Sequence, residues 1–438
     1  MNRSHLLSAT LIAAVAVTAL PQPAVAALVN RASMALTTSY VLKANLSYAA
    51  GTISATETIR IKNISGSAIS KLNLSVPPKA FGELTSISRY RVDGVAVSAR
   101  WTNNSNLELQ LGKNVPHLGT ATVSLSFAVR ASGTIGTSLE GRLSKANGIM
   151  QVSHWFPIIS DGHALRYPGD AQYTRTASKI RLELTTESSS VRIAAPGVRV
   201  AASGLNHVYE LTNARDFAFG ASPTYRYISG SAAGVAIGVY YTTGAASTAL
   251  STAMAALSRY ESVFGQYQWT RFVIAQTGRA ASGNEYPGIV FLGGPAFSAR
   301  EVVAHEVAHQ WWYGMAGNDQ MREPWLDEGL AEFAASYFFG TLNAYSSTRP
   351  VNSTIYEFPN LPAPETSGDA GSYDQTIYFK SSHFLNGLRT RMGNTKFFGA
   401  MASLFAANRN GVMTSREFYD TFARYGASTT YMRSFIRL

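Results

Sequence analysis

The hydrophobic period of this chain changes once, near Pro223, and that change narrows the folds open to it. From about Ala27 to Thr224 the period is two. Leu72, Leu74 and Val76 alternate with polar residues, as do Val123, Leu125, Phe127 and Val129, and again Ile180, Leu182 and Leu184. Alternation marks a strand with one packed face and one wet face. The runs are short and broken by turn formers, as at Asn63–Gly66 and Pro77-Pro78, which predicts an all-β, sandwich-like first domain over residues 27–224. Beyond it the pattern becomes mixed. Val235, Ile237 and Val239 make one strand and Phe272–Ala275 a buried one. Leu250, Met254, Leu257, Glu261 and Phe264 fall at helical spacing, with Gly265 as the stop. Helical patterns follow around Glu301–Tyr313, Glu328–Phe339 and Lys380–Met392. The second domain, residues 225–438, is expected to be α+β. Asn343–Tyr373, rich in Ser, Thr, Pro and Gly, reads as a long loop near the functional face.

The first 26 residues read as a removable leader. Arg3 opens it, Leu6–Leu20 is apolar apart from Ser and Thr, and Ala24-Val25-Ala26 has the shape of a signal-peptidase site. The apolar stretch is shorter than the roughly 20 residues of a membrane span. Cleavage after Ala26 leaves 438 − 26 = 412 residues, an exported protein with no stable span; an uncleaved anchor is the alternative. Charge adds an exclusion. The formal net charge is +11, but the basic residues are scattered, which argues against a nucleic-acid-binding arm. There are no cysteines, so disulfides, thiol nucleophiles and Cys-ligated metals are excluded. Any metal must be held by His and carboxylates.

Such a donor set is present. In His305-Glu306-Val307-Ala308-His309, two histidines four apart share one helical face, so both imidazoles can reach one metal ion. Glu306 follows the first ligand directly, in reach of a metal-bound water. A catalytic zinc takes three protein ligands and leaves one position open. Glu328, 19 positions after His309 on the next helical pattern, supplies the third.

These residues resemble the zinc aminopeptidases of the aminopeptidase N family. The shared features are His305-Glu306-Val307-Ala308-His309-Gln310-Trp311-Trp312, a gap of 18 residues, and then Glu328-Gly329-Leu330-Ala331. The family belongs to the gluzincins. The resemblance implies a β-rich saddle domain followed by a thermolysin-like α+β zinc-peptidase domain, with one zinc per chain and peptides with a free N-terminus as substrates. It covers Gly283–Phe398 most closely. Gly283-Asn284-Glu285 falls on the family's substrate-binding stretch, which makes Glu285 the carboxylate that captures the α-amine. Asn284 stands where Met is usual and Tyr286 where Asn is usual. Tyr378-Phe379-Lys380-Ser381 falls on the family's Tyr-x-Lys-Gly, which makes Tyr378 the oxyanion donor; Tyr373 is the rival. Glu306 is implied as the general base that activates the zinc-bound water. Asp327 and Glu332 are the nearest candidates to orient the imidazoles, with Glu332 preferred because it lies four after Glu328. Only 60 residues follow Tyr378, so the family's long C-terminal helical domain is expected to be missing and the cleft open. Two alternatives remain at this stage: a gluzincin endopeptidase, and a peptide-binding module with a structural metal.

Overall fold

The computed structural model describes residues 35–132, 142–165, 174–278, 283–353 and 373–438. The expected leader, and the part of the expected loop between 354 and 372, lie outside the described residues.

The period-two segments fold as strands. The largest sheet has eight, in the order Val198–Ser203, Asn206–Ala214, Ala177–Thr186, Leu36–Ser47, Thr52–Asn63, Thr120–Arg130, Leu84–Val92 and Val95–Ala96. Its third and fourth strands in that order, Ala177–Thr186 and Leu36–Ser47, are parallel, with Ser39 opposite Lys179. The flanking pairs are antiparallel. Alternation places Leu42, Ile53, Ile59, Val123 and Leu182 on one face, all fully buried. Two four-stranded sheets complete this region. Trp155 sits where the layers meet, its ring 5.8 Å from Phe127 and 5.9 Å from Phe219.

Past Pro223 a five-stranded sheet runs in the order Arg226–Ala232, Val235–Tyr241, Arg271–Gln276, Ile289–Leu292 and Gly283–Tyr286. Its inner pairs are parallel and its outer pairs antiparallel, so Gly283–Tyr286 is an edge strand. The main helices are α1 (Ala246–Phe264), α2 (Arg300–Ala308), α3 (Glu328–Phe339), α4 (Ser381–Met392), α5 (Asn394–Asn408) and α6 (Ser415–Arg424). No helix among the described residues is long and apolar enough to cross a membrane. The core is aromatic between α1 and the turn after α2: Tyr260 packs edge-on against Trp311, and Phe264 against Trp312. One contiguous apolar core spans both regions. A buried arginine also joins them. Arg215 donates to the carbonyls of Thr174, Gly314 and Gly411, and burial lowers its pKa to about 10.

One helix is shorter than its sequence pattern predicts. The apolar pattern runs to Tyr313, but α2 ends at Ala308. Backbone bonding tightens there to Gln310 N–Val307 O and Trp311 N–Ala308 O. Tyr313 then takes a φ of +130°, and Gly314 N returns to His309 O. The apolar residues beyond Ala308 are buried by a compact turn, not by more helix.

Candidate metal centre and active site

α2 places His305 and His309 one turn apart, with both Nε2 atoms turned toward the start of α3. Glu328 is the first residue of α3, where its charge suits the helix N-terminus. Asp327, fully buried, accepts from the Glu328 backbone N–H at 2.9 Å and so caps α3. His305 Nε2 and His309 Nε2 lie 3.0 Å apart, and Glu328 Oε2 lies 3.1 Å and 3.2 Å from them. Ligand atoms around a tetrahedral zinc stand roughly 3.4 Å apart, so the triangle is of the right size. No other such metal-ligand group occurs among the described residues.

Proton placement supports a cation here. His309 Nδ1 lies 3.1 Å from the Trp312 carbonyl, which can only accept, so the proton sits on Nδ1 and leaves Nε2 a lone pair. His305 Nδ1 faces Glu332 Oε2 at 3.4 Å, giving the same tautomer. Two lone pairs and a carboxylate oxygen then point at one spot, an arrangement stable only around positive charge. When no cation is bound, the same carboxylates draw a proton onto the imidazoles instead. Burial opposes protonation of His305, yet Glu328 and Glu332 outweigh it and raise its pKa to about 9. Burial likewise opposes ionisation of Glu328, yet His309 and His305 hold it well below the usual carboxylate range. Two nitrogens and one oxygen are a donor set zinc favours. Of the two orienting candidates, Glu332 reaches an imidazole, and Asn343 Nδ2 donates to its other oxygen at 3.0 Å.

Glu306 points off α2 toward the edge strand. It is buried, and its Oε2 has no hydrogen-bond partner among the described residues. Burial, opposed in part by His309, pushes its carboxyl up to about 7, where a carboxylate can both take and return a proton near neutrality. Gly283 makes room for it: a Cβ there would stand 1.9 Å from Glu306 Oε1 and 2.1 Å from Cδ. Gly283→Ala therefore forces the carboxylate to move. Displacement of about 1 Å costs on the order of 100-fold in rate, so we expect kcat to fall by about that factor with zinc content unchanged. Wild-type kcat in this variant would show that the contact does not position Glu306.

Two residues further along the same strand is Glu285, buried, with Oε1 accepting from Gln320 Nε2 at 3.3 Å. Between them Asn284 is buried. Its Nδ2 donates to the Gly283 carbonyl, and its Oδ1 lies 3.5 Å from Gln151 Nε2.

Tyr378 lies in a π-helical segment, Asp374–Lys380, that runs directly into α4. Such segments are rare and tend to occur at functional sites. The Tyr378 ring stacks on that of His305, 5.8 Å away and inclined by 17°, so Tyr378 stands beside the metal ligands. Tyr373 is more deeply buried and packs edge-on against Tyr378. Gly329 lets α3 approach this segment, since a Cβ there would stand 2.9 Å from the Ile377 carbonyl and 2.5 Å from Ser381 Cβ. The glycine after the third ligand thus brings Glu328 and Tyr378 to one centre.

Sequence reasoning gave no role to Gln151, Gln310 or Gln320, although Gln310 stands in the motif directly after His309. Each acts through a buried amide across 22 to 133 positions, and no local pattern signals such contacts.

The comparisons agree with this geometry. Residues 296–437 match the model of the Peptidase family M1 domain. Among solved structures, the chain is similar to an M1 zinc metallopeptidase from Deinococcus radiodurans, with 15% identity, coverage of 93% of this chain and 94% of that one, and a TM-score of 0.72. A mutant of that enzyme bound to a Tyr-Ser-Ala substrate matches at 14% identity, covering 93% and 95%, with a TM-score of 0.70. A mutant described as a two-domain M1 zinc metallopeptidase bound to L-arginine matches at 14% identity, covering 92% and 94%, with a TM-score of 0.70. Residues 296–437 thus match the Peptidase family M1 domain, and the chain as a whole shares its fold with the M1 zinc metallopeptidase from Deinococcus radiodurans.

Proposed function

We propose that the protein is an exported zinc aminopeptidase that releases N-terminal residues from peptides. The observation that carries this reading is Glu285, a buried carboxylate on the edge strand whose Gly283 abuts Glu306. An ammonium held by Glu285 would lie at a fixed, short distance from the base, so the bond within reach is the first peptide bond. Carboxylate–ammonium pairing in a confined cleft is strong and directional.

His305, His309 and Glu328 would hold the zinc, which when bound supplies Lewis acidity to the scissile carbonyl and lowers the pKa of a water to about 7. Glu306 takes the proton from the attacking water and passes it to the departing amine. Tyr378 donates its hydroxyl to the oxyanion that develops on the carbonyl. Glu332 and the Trp312 carbonyl keep the two imidazoles in the tautomer described above. The leader over residues 1–26 would direct export, with cleavage after Ala26.

A comparison of Tyr-Ser-Ala with its N-acetylated form tests the reading. We expect the free tripeptide to be cleaved at least tenfold faster, activity to vanish with a strong chelator and return with zinc, and Glu285→Ala to remove the preference. Equal rates on the two peptides would overturn the aminopeptidase assignment in favour of an endopeptidase.

A further inference from the structure

The geometry points to Gln310 as the positioning residue that fixes the spacing between the metal ligands and Glu285, and through it the requirement for a free amine. This rests on the reading of Glu285 given above.

Gln310 directly follows the ligand His309 and is completely buried. Its backbone is held on both sides, by Gln310 N–Val307 O at 3.1 Å and Met315 N–Gln310 O at 2.9 Å. The side chain therefore leaves a fixed point. Both ends of its amide are used: Nε2 donates to the Tyr286 carbonyl at 3.1 Å and Oε1 accepts from the Gly288 N–H at 2.8 Å. These two groups flank Pro287, in the turn that joins the edge strand to Ile289–Leu292. The amide serves the turn as a neighbouring strand would, in donor and acceptor order.

The edge strand needs such a hold. Among the described residues it is hydrogen-bonded to a neighbouring strand on one side only, so ladder bonds alone do not set its distance from α2. Two contacts with the α2 region do. At one end Gly283 lies against Glu306. At the other, Tyr286 and Gly288 are latched by Gln310. Glu285 lies between them, one residue from Tyr286, just as Gln310 lies one residue from His309. The Gln310 amide thus links the residue after the metal ligand His309 to the residue after the amine anchor Glu285.

Glutamine is the side chain that fits both bonds. A glutamate at this position keeps the acceptor for Gly288 N–H and sets a carboxylate against the Tyr286 carbonyl, which has nothing to donate. Leucine removes both bonds at similar volume.

The test measures kcat and KM of the zinc-loaded enzyme on Tyr-Ser-Ala and on N-acetyl-Tyr-Ser-Ala, for wild type, Gln310→Glu and Gln310→Leu, with zinc content determined for each. We expect both variants to keep one zinc and to lose about 10- to 100-fold in kcat/KM on the free peptide. The rate on the blocked peptide should change less than threefold, so the preference for a free amine collapses. A purely structural role would lower both rates by the same factor, and that outcome overturns the proposal, as does an unchanged ratio. Should Gln310→Leu fail to fold, Gln310→Glu decides alone. If Gln310→Glu also fails to fold or loses its zinc, Gln310 is a structural residue and the proposal is overturned. A wild type that cleaves both peptides equally overturns the underlying reading of Glu285 instead, which separates the two failures.

Discussion

Glu306→Gln is expected to abolish useful turnover while leaving the protein folded and loaded with zinc. The substitution keeps the shape of the side chain and removes its ability to take a proton. General-base catalysis by a positioned carboxylate contributes on the order of 10²- to 10⁴-fold, so kcat should fall by about that factor, or about 3–5 kcal/mol on the barrier. Stability should not fall with it. Glu306 is buried, and a neutral amide of the same shape costs less to bury than a carboxylate. The three ligand atoms belong to other residues, so zinc content should stay at one per chain. Steady-state kinetics with metal analysis checks this. A variant that retains more than a tenth of wild-type kcat would return the protein to the class of peptide binders with a structural metal.

Glu328→Ala should separate the metal from the fold in a different way. It removes the one carboxylate that lies within 3.2 Å of both imidazole Nε2 atoms. Loss of an outer partner of a metal ligand costs about 10- to 100-fold in affinity, and loss of a ligand itself should exceed that. The consequence reaches stability by mass action. A ligand present at a thousand times its dissociation constant stabilises the folded state by about 4 kcal/mol. The wild-type melting temperature should therefore rise with added zinc and fall with a chelator, whereas Glu328→Ala should respond to neither. Activity should fall below detection, because the scissile carbonyl loses its Lewis acid. A variant that still binds one zinc tightly and shows the same thermal shift would remove Glu328 from the ligand set.

Much of this was legible in the sequence because the signals are local. Period-two alternation in Leu36–Ser47 and Thr120–Arg130 follows from one sheet face being packed. The helix over Glu328–Phe339 matches its sequence pattern end to end, since Asp327 caps it and Gly340, in a left-handed conformation, stops it. The spacing of His305 and His309 is likewise a helical regularity, whereas the path to Glu328 runs through a compact turn, the short strand Gly317–Asn318 and a 3-10 helix at Pro324–Leu326. What the sequence hid depends on distant pairings. The parallel match of Leu36–Ser47 with Ala177–Thr186 spans about 140 positions, and alternation does not name a strand's neighbour. The π-helical segment under Tyr378 arises where α3 and the chain before α4 pack closely through Gly329 and Ser381. The early end of α2 is set by the turn in which Tyr313 takes a positive φ and the Gly314 N–H returns to the His309 carbonyl, although the residues there are as apolar as those in a helix. The buried amides of Gln151, Gln310 and Gln320 look like ordinary polar positions until the fold brings their partners to them.

Diffraction from zinc-soaked crystals of the protein, recorded at the zinc absorption edge, tests the central claim most directly. The account predicts one strong anomalous peak per chain, about 2.0–2.2 Å from His305 Nε2, His309 Nε2 and a carboxylate oxygen of Glu328, with Glu306 close by and outside bonding distance. A peak held by any other set of side chains, or Glu328 turned away from the two imidazoles, would contradict it.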